Sequence, residues 1–190
     1  AEEGSPIQSD FFSTDYLEYG KIKNNLGHER GILFVDKNYF LVFDVLKSSL
    51  NKNYNWLLHG NGLQGTNSLN KISSGKAEWV QGDVGLLAYV LPILNDVINF
   101  TDAEHSNTWP NVEKHTYMSV LRNGKNMGFL SLLYPSKGRS YPETNKIGDI
   151  LEIRKDDWNG FAFVNEDNNL IELNGIKTDA SRFFVKLKNN

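Results

Sequence analysis

The stretch RGILFVDKNYFLVFDVL, from Arg30 to Leu46, predicts the central hairpin of this protein. Two runs rich in β-branched and aromatic residues flank the tripeptide DKN, and such runs around a short polar turn are typical of a β-hairpin. The second run contains a carboxylate, Asp44, among apolar neighbours. A buried charge without a partner is costly, so the sequence raises the question of which groups hold Asp44.

The same kind of sequence continues on both sides of this hairpin. It predicts about a dozen strands and an all-β fold, an antiparallel super-sandwich. A polar loop is expected between the Asp44 strand and NYNWLLH, and a hairpin turn at Asn123-Gly124. The further predicted strands are KAEWVQ, VGLLAYVLP, TYMSVLR, MGFLSLLYP, IGDILEIRK, WNGFAFVN, NLIELNG and SRFFVKLK.

Two segments carry signals for other structures and are better interpreted as strands and loops. The run LLAYVLPILNDVINF contains Pro92, which would break a helix, so it predicts strand, loop and strand. The glycines of HGNGLQG match the spacing of a dinucleotide-binding loop at Gly60, Gly62 and Gly65. Such a loop requires a helix directly after it, and a polar, strand-like sequence follows instead.

The composition limits the protein to ordinary globular classes. The chain has 190 residues, 39% hydrophobic and 23% charged, with a net charge of −3. This balance gives no basic footprint for nucleic acid and no polybasic patch for a membrane. The absence of cysteine excludes disulfides, thiolate catalysis and cysteine-ligated zinc. We expect a linker or tail over residues 1–15 and one domain over residues 16–190.

The length of the DKN turn decides which side chains face Asp44. With a three-residue loop Val35 pairs with Tyr39, so Arg30 lies opposite Asp44 and His28 lies diagonally on the same face. A loop one residue shorter or longer would move both side chains to the other face. We favour the three-residue loop, because it gives the buried carboxylate a cationic partner.

A metal site is one of two interpretations of this group. In NYNWLLH, alternation places His59 on one face, and if this strand neighbours the Asp44 strand, His28, Asp44 and His59 converge. Two imidazoles, a carboxylate and a water are a reasonable zinc site. The alternative is an ion pair between Asp44 and Arg30, with His28 as a neighbour that has its hydrogen bonds satisfied.

The longest polar connection, TDAEHSNTWPNVEKH over residues 101–115, is expected to be a surface or rim loop. It carries the two candidates for substrate contact, Trp109 and His105. Trp109 is the tryptophan most expected to be exposed and would stack on a sugar ring. The alternatives are a local anchor for Trp109, and ordinary solvated side chains for His105 and His115.

Four blocks of sequence resemble the β-sandwich domain of the heparinase II/III-like polysaccharide lyases. They are HERGILFVDKNYFLVFDVL, YNWLLHGNG, AEWVQGDVGLLAYVLP and FLSLLYP. The first block is the most specific, and the resemblance runs from about Tyr16 to the last strands. It implies the C-terminal part of an enzyme whose N-terminal part is an α/α toroid.

The resemblance also implies a chemistry. In this family acidic polysaccharides are cleaved by β-elimination: a uronate carboxylate is neutralised, a base removes the C5 proton, and an acid protonates the leaving oxygen. Much of that machinery belongs to the toroid, while the sandwich forms a wall of the cleft and, in several members, holds zinc. By motif position the zinc ligands would be His28, Asp44 and His59.

One departure from the family pattern bears on activity. Catalytic members have a further histidine shortly before the metal-binding one, and here the corresponding residues are Asn24, Asn25 and Leu26. We therefore assign no catalytic residue. The sequence predicts a periplasmic or secreted bacterial lyase domain that acts with an upstream toroid on an acidic polysaccharide, without nucleic-acid or membrane partners. The alternatives are a non-catalytic carbohydrate-binding module and a structural sandwich.

Overall fold

The structure is a computed structural model that describes residues 4–60, 62–63, 66, 68–108, 111–165, 167, 169–173 and 175–189, with the backbone alone at 105–108 and 111–112. Over these residues the chain forms strands and turns and no helix. The strands are β1 (Pro6–Ser13), β2 (Leu17–Asn24), β3 (His28–Val35), β4 (Tyr39–His59), β5 (Leu69–Ser73), β6 (Lys76–Gln81), β7 (Val84–Val90), β8 (Val97–Thr108), β9 (Asn111–Lys137), β10 (Glu143–Ile147), β11 (Ile150–Lys155), β12 (Trp158–Val164), β13 (Ile171–Leu173), β14 (Ile176–Thr178) and β15 (Arg182–Lys188). The predicted all-β, antiparallel class is confirmed.

The strands form one large sheet and two smaller ones. The large sheet has the order β1-β2-β3-β4-β9-β7-β6-β5, with β8 added along the first part of β9. The order in the second sheet is β10-β11-β12-β15, and β13 pairs with β14 alone. Every pairing in the described part of the chain is antiparallel, which short turns require for the consecutive strands.

Two very long strands connect the two ends of the large sheet. β4 has 21 residues and β9 has 27, and they pair with each other from Phe40–Leu133 to His59–Tyr117. The pairing shifts register between Lys47 and Lys52, where a bulge lies. β7 pairs with the later part of β9 and β8 with the earlier part.

These long strands correct two predictions. The expected polar loop between the Asp44 strand and NYNWLLH is part of β4, and the expected hairpin at Asn123-Gly124 is part of β9. Asn123 instead pairs with Asn53 of β4 and donates a side-chain hydrogen bond to it at 2.8 Å. Pairing with a long neighbouring strand has thus overridden the local turn signal, as tertiary context often does.

Two hydrophobic cores lie on the two faces of the large sheet. The first core, between the two main sheets, contains Leu33, Val35, Tyr39, Leu41, Phe43, Leu87, Tyr89, Leu91, Leu130, Leu132, Tyr134, Leu151, Ile153, Trp158 and Ala162. The second contains Trp56, Leu69, Ala77, Trp79, Ala88, Val90, Met118, Val120 and Phe129. Its members come from the later part of β4, from β9 and from β5–β7. The protein is therefore an all-β sandwich with a core on each face of its large sheet.

The loop around Pro92 connects β7 and β8, as the sequence predicted. A buried ion pair holds this loop against β9: the Arg122 guanidinium donates from Nε and Nη2 to Asp96 at 2.8 and 2.9 Å. Arg122 Nη2 also donates to the Leu91 carbonyl at 2.7 Å. Both charged side chains are only 3% exposed, so they depend on each other for compensation.

The N-terminal segment contributes a strand to the sheet. Residues 1–15 were expected to be a linker or tail, yet β1 lies within them and pairs with β2 from Pro6–Asn24 to Ser13–Glu18. All residues of β1 are exposed, and Lys21 of β2 forms an ion pair with Asp10 at 2.7 Å. β1 is thus an edge strand that carries apolar side chains in contact with solvent.

Candidate functional site

The first candidate site is the charged cluster around Asp44, on the face of the large sheet away from the first core. Phe43 and Val45 flank Asp44 on β4, and the Asp44 side chain is 2% exposed. The Arg30 guanidinium holds the carboxylate with two bonds, from Nε to Oδ1 at 2.7 Å and from Nη2 to Oδ2 at 3.0 Å. His28 Nε2 lies 2.7 Å from the same Oδ1. Asp44 is therefore a buried acceptor for one guanidinium and one imidazole.

The hairpin register that produces this cluster is the one predicted from the sequence. Val35 pairs with Tyr39 and Arg30 with Asp44, while His28 pairs with Leu46 and lies diagonal to the carboxylate. The DKN turn has positive φ at Asp36 and Lys37, 50° and 54°, so both residues adopt a left-handed backbone. The length of this turn fixes the face on which Arg30 and His28 lie.

The electrostatics of the cluster favour an ionised carboxylate. Burial acts to raise the pKa of Asp44, but the hydrogen bonds from His28 and Arg30 outweigh it, and the pKa of Asp44 is lowered from its ordinary value. The hydrogen bonds to Asp44, with a smaller contribution from its charge, in turn raise the pKa of Arg30. Because an ionised carboxylate only accepts hydrogen bonds, His28 must carry a proton on Nε2.

A short turn before β3 holds His28 in place. Asn24 Oδ1 accepts backbone hydrogen bonds from Leu26 and His28, each at 3.0 Å. The Gly27 carbonyl accepts a bond from Lys47 N at 3.0 Å, and a Cβ at Gly27 would lie 2.4 Å from the Lys47 carbonyl oxygen. Asn24 therefore has a structural role, and glycine is required at 27 for the close approach to β4.

An open cavity of about 480 Å³ borders this cluster on the β1–β3 side. Its lining residues are Ser9, Asp10, Gly20, Lys21, Ile22, Asn24, His28, Arg30 and Ile32. Arg30 is 47% exposed and His28 is 35% exposed, so both side chains bound to Asp44 also face this space. The cavity thus combines the Arg30 guanidinium and the Lys21–Asp10 ion pair with apolar side chains such as Ile22 and Ile32.

His59 does not join the Asp44 cluster. It lies at the end of β4, fifteen residues after Asp44 on one continuous strand, which is roughly 50 Å along the strand at the usual rise per residue. There His59 Nδ1 lies 2.8 Å from His115 Nε2, and the His59 ring stacks on Tyr117 with a centroid separation of 5.3 Å. The three residues do not converge, because the two segments that were expected to be neighbouring strands form the single strand β4.

This geometry does not fit a single zinc site made of His28, Asp44 and His59. Among the residues that the structure describes, no three His, Cys, Asp or Glu side chains lie together as a metal site. His28 and Asp44 are in contact, but Arg30 occupies the other side of the carboxylate. Zinc binding by this chain remains a prediction from the sequence.

The two candidates for substrate contact are not described by the structure at the side-chain level. Trp109 lies outside the described residues. The backbone of His105 belongs to β8 and pairs with Glu113 of β9, and its side chain lies outside the described part. Most of the expected polar loop over 101–115 is therefore the end of the β8–β9 hairpin.

His115 was missed by the sequence analysis. It was expected to be solvated, yet it is 9% exposed and in contact with His59. Alternation gives a signal that points to its position: Thr116, Met118 and Val120 are buried, so His115, Tyr117 and Ser119 lie on the opposite face of β9. That face adjoins His59 through the β4–β9 pairing.

No helix in the described part of the chain is long and apolar enough to cross a membrane. No family model and no curated protein sequence matches the chain.

Solved structures share the fold of this chain. The heparan sulfate lyase HepC from Pedobacter heparinus superimposes with a TM-score of 0.64 and 19% identity, over 78% of this chain and 26% of that one. A heparinase III, the BT4657 gene product, superimposes with a TM-score of 0.64 and 13% identity, over 96% of this chain and 28% of that one. Another heparinase III superimposes with a TM-score of 0.63 and 9% identity, over 98% of this chain and 27% of that one. The chain thus spans about a quarter of the length of these proteins. The likeness confirms that it has the fold which its resemblance to heparinase-like lyases predicted.

Proposed function

We propose that this chain is the β-sandwich domain of a polysaccharide lyase that acts by β-elimination on an acidic, uronate-containing polysaccharide. The observation that carries the proposal is the fold it shares with a heparan sulfate lyase and heparinase III, over most of this chain but only 26–28% of theirs. The remainder of the enzyme would be the α/α toroid that the sequence resemblance implies. The proposed location is periplasmic or secreted, in a bacterium.

The Asp44 cluster gives this proposal a chemical basis. Arg30 and His28 line an open cavity of about 480 Å³, and a uronate or sulfate group is an acceptor that a guanidinium binds. Asp44 fixes the guanidinium with two bonds, which limits its rotation. The domain would therefore present a guanidinium of fixed orientation to the polysaccharide.

The domain by itself is proposed to be inactive. β-Elimination requires a positioned base and acid at the reacting carbon. The residues that precede His28 in sequence, Asn24 to Leu26, carry no proton-transfer group. Asn24 is engaged in holding the turn before β3. The base and acid would be supplied by the toroid.

An ultraviolet assay for the unsaturated uronate product tests the proposal. The purified chain alone is incubated with heparan sulfate, chondroitin sulfate and alginate, and no increase in absorbance is expected. The same assay with the protein encoded by the whole gene should give product with one of them. Steady turnover by the chain alone would contradict its inactivity, and an inactive whole protein that still binds the polysaccharide would favour a carbohydrate-binding module.

A matched pair of variants tests the role of the Arg30 guanidinium. Arg30→Met should weaken binding of the acidic polysaccharide, measured as retardation in affinity electrophoresis. The uncharged polymer dextran should retard neither the wild type nor the variant. Arg154→Met is the control, because Arg154 is also half exposed and paired with a buried carboxylate, Glu152 at 3.0 Å, but lies on the second sheet. If the polysaccharide retards Arg30→Met and Arg154→Met equally, Arg30 is not part of the binding surface.

A further inference from the structure

We propose that a surface of β4, β9 and β8, the asparagine face, is a second contact surface for an acidic polysaccharide, separate from the cavity lined by Arg30. The inference rests on the function proposed above, from which it takes its class of ligand. Side chains that pair directly across antiparallel strands share one face, and the β4–β9 and β8–β9 pairings assemble this one. Its members are Asn53, Asn55, Leu57, Val97, Asn99, Thr101, Ser119, Leu121 and Asn123.

Strand alternation places the asparagine face on the side of the large sheet away from the Asp44 cluster. Trp56 belongs to the second core, so its neighbour Asn55 on β4 points the other way. Phe129, the direct partner of Asp44 in the β4–β9 pairing, belongs to the same second core. The Asp44 cluster and the asparagine face therefore lie on opposite sides of the sheet, and a change to one leaves the other intact.

The asparagine face offers both amides and apolar side chains to solvent. Asn55 and Asn99 are exposed, and neither side chain forms a hydrogen bond with another residue that the structure describes. Leu57 is 46% exposed and Val97 is 50% exposed. An amide side chain both donates and accepts hydrogen bonds, as the hydroxyl groups of a sugar do. A polymer whose units have polar edges and apolar ring faces matches this mixture of side chains.

The charge of the surrounding strands favours an anionic polymer over a neutral one. The chain has 23 acidic residues, yet none occurs over residues 45–77 or 114–142, which include the later part of β4 and most of β9. Exposed Lys47, Lys52 and Lys125 lie where the bulge of β4 adjoins the asparagine face. None of the three forms an ion pair with a carboxylate in the described part of the chain. These lysines therefore keep their charge available to a bound anion.

The two carboxylates that flank this part of β8 belong to other surfaces. Asp96 is 3% exposed and is neutralised by Arg122. Asp102 pairs with Thr116 and accepts a hydrogen bond from its hydroxyl group. Thr116 lies two residues before Met118 of the second core, so Asp102 points to the second-core side of the sheet. An anionic chain on the asparagine face is therefore not opposed by either carboxylate.

Affinity electrophoresis of the purified chain in gels that contain heparan sulfate tests this inference, with mobility in plain gels as the reference. Asn55→Asp adds one negative charge to the asparagine face with little change in size. We expect its affinity for the polysaccharide to be at least about 5-fold lower, because like charges repel across an interface. Lys188→Gln is the matched control: it changes the net charge by the same amount at an exposed position on the second sheet. Its affinity should stay within about 2-fold of the wild type, since salt screens distant charges.

The same gels can overturn the inference. Equal affinities of Asn55→Asp and Lys188→Gln would do so, and so would a folded wild type that heparan sulfate does not retard. Equal retardation of the wild type by single-stranded DNA would overturn a polysaccharide as the ligand. The product assay with the whole protein decides the lyase proposal separately: selective loss of binding in Asn55→Asp, together with an inactive whole protein, would keep this surface and contradict the lyase. Circular dichroism checks that each variant is folded.

Discussion

The two ends of β4 carry two polar clusters of different kinds. Near its start, Asp44 is a buried anion paired with Arg30 and in contact with His28. At its end, exposed His59 meets His115 in a pair of imidazoles with no guanidinium between them. The first cluster has its charges compensated within the protein and is therefore expected to be important for stability. The second is a hydrogen-bonded contact between one exposed and one buried imidazole, and it is expected to contribute less to stability.

The largest effect is expected from Asp44→Ala, which leaves the Arg30 charge without its partner. Breaking a buried ion pair costs about 3–5 kcal/mol, and we expect about 3 kcal/mol because Arg30 is 47% exposed and can regain water. Urea unfolding measures the change. The control is Asp10→Ala, which breaks a surface pair with Lys21 and should cost less than about 1 kcal/mol. Similar losses of unfolding free energy in Asp44→Ala and Asp10→Ala would show that the buried pair contributes no more than the surface pair.

A packing change is the corresponding test at the His59 end. A Cβ on Gly60 would lie 1.4 Å from Trp79 Nε1, so Gly60→Ala forces the buried indole to move. Overpacking of this kind costs roughly 1–3 kcal/mol. In Gly20→Ala the new Cβ would meet only Phe11 Cδ2, at 4.0 Å, and the change should stay within about 0.5 kcal/mol. If Gly60→Ala is as mild as Gly20→Ala in thermal unfolding, the indole does not lie against residue 60.

The acid dependence of stability should distinguish the two ends further. The pKa of Asp44 is lowered in the folded state, so the unfolded state binds the proton more readily. The stabilisation by Asp44 is therefore complete above the ordinary aspartate pKa of about 3.9 and is lost as the pH falls towards the lowered value.

The variant Asp44→Asn cannot ionise, so its stability deficit relative to the wild type should shrink by on the order of 1 kcal/mol from about pH 5 to about pH 2. Urea unfolding across this range measures the deficit. A deficit that does not change with pH would mean that the Asp44 charge contributes nothing to folding. His59→Ala keeps Asp44, so its stability deficit relative to the wild type should not shrink in this way.

The smallest effect on stability is expected from His59→Phe. The phenyl ring can keep the stack on Tyr117, and only the hydrogen bond to His115 is lost. We expect about 0.5 kcal/mol, the low end for a hydrogen bond, since His59 is exposed and water replaces it. A loss as large as that of Asp44→Ala would show that the imidazole pair is a stability element.

The sequence predicted the Asp44 cluster because a local feature determines it. The three-residue DKN loop sets the pairing of Val35 with Tyr39, and strand alternation then places Arg30 opposite Asp44. Every step depends on residues close in the chain and on the period of two in a strand. Asp44 also had an apolar neighbourhood that required a partner, so only one register was reasonable.

The position of His59 could not be predicted in the same way. The segment between Lys47 and Asn55 is mostly exposed in the structure, so it lacks the alternation by which a strand is recognised and was interpreted as a loop. Its strand conformation depends on pairing with β9, whose Asn123-Gly124 signal also indicated a turn. The partner His115 is 56 residues away in sequence, and no local signal connects it with His59.

The length of β4 and β9 has a consequence for how the protein unfolds. Each strand supplies side chains to both hydrophobic cores, with Leu41 and Leu132 in one, and Trp56 and Met118 in the other. Neither core can open while its strands remain ordered in the other, apart from bending at the bulge between Lys47 and Lys52. Amide hydrogen exchange of the two cores should therefore show one common opening free energy, with faster exchange confined to the bulge.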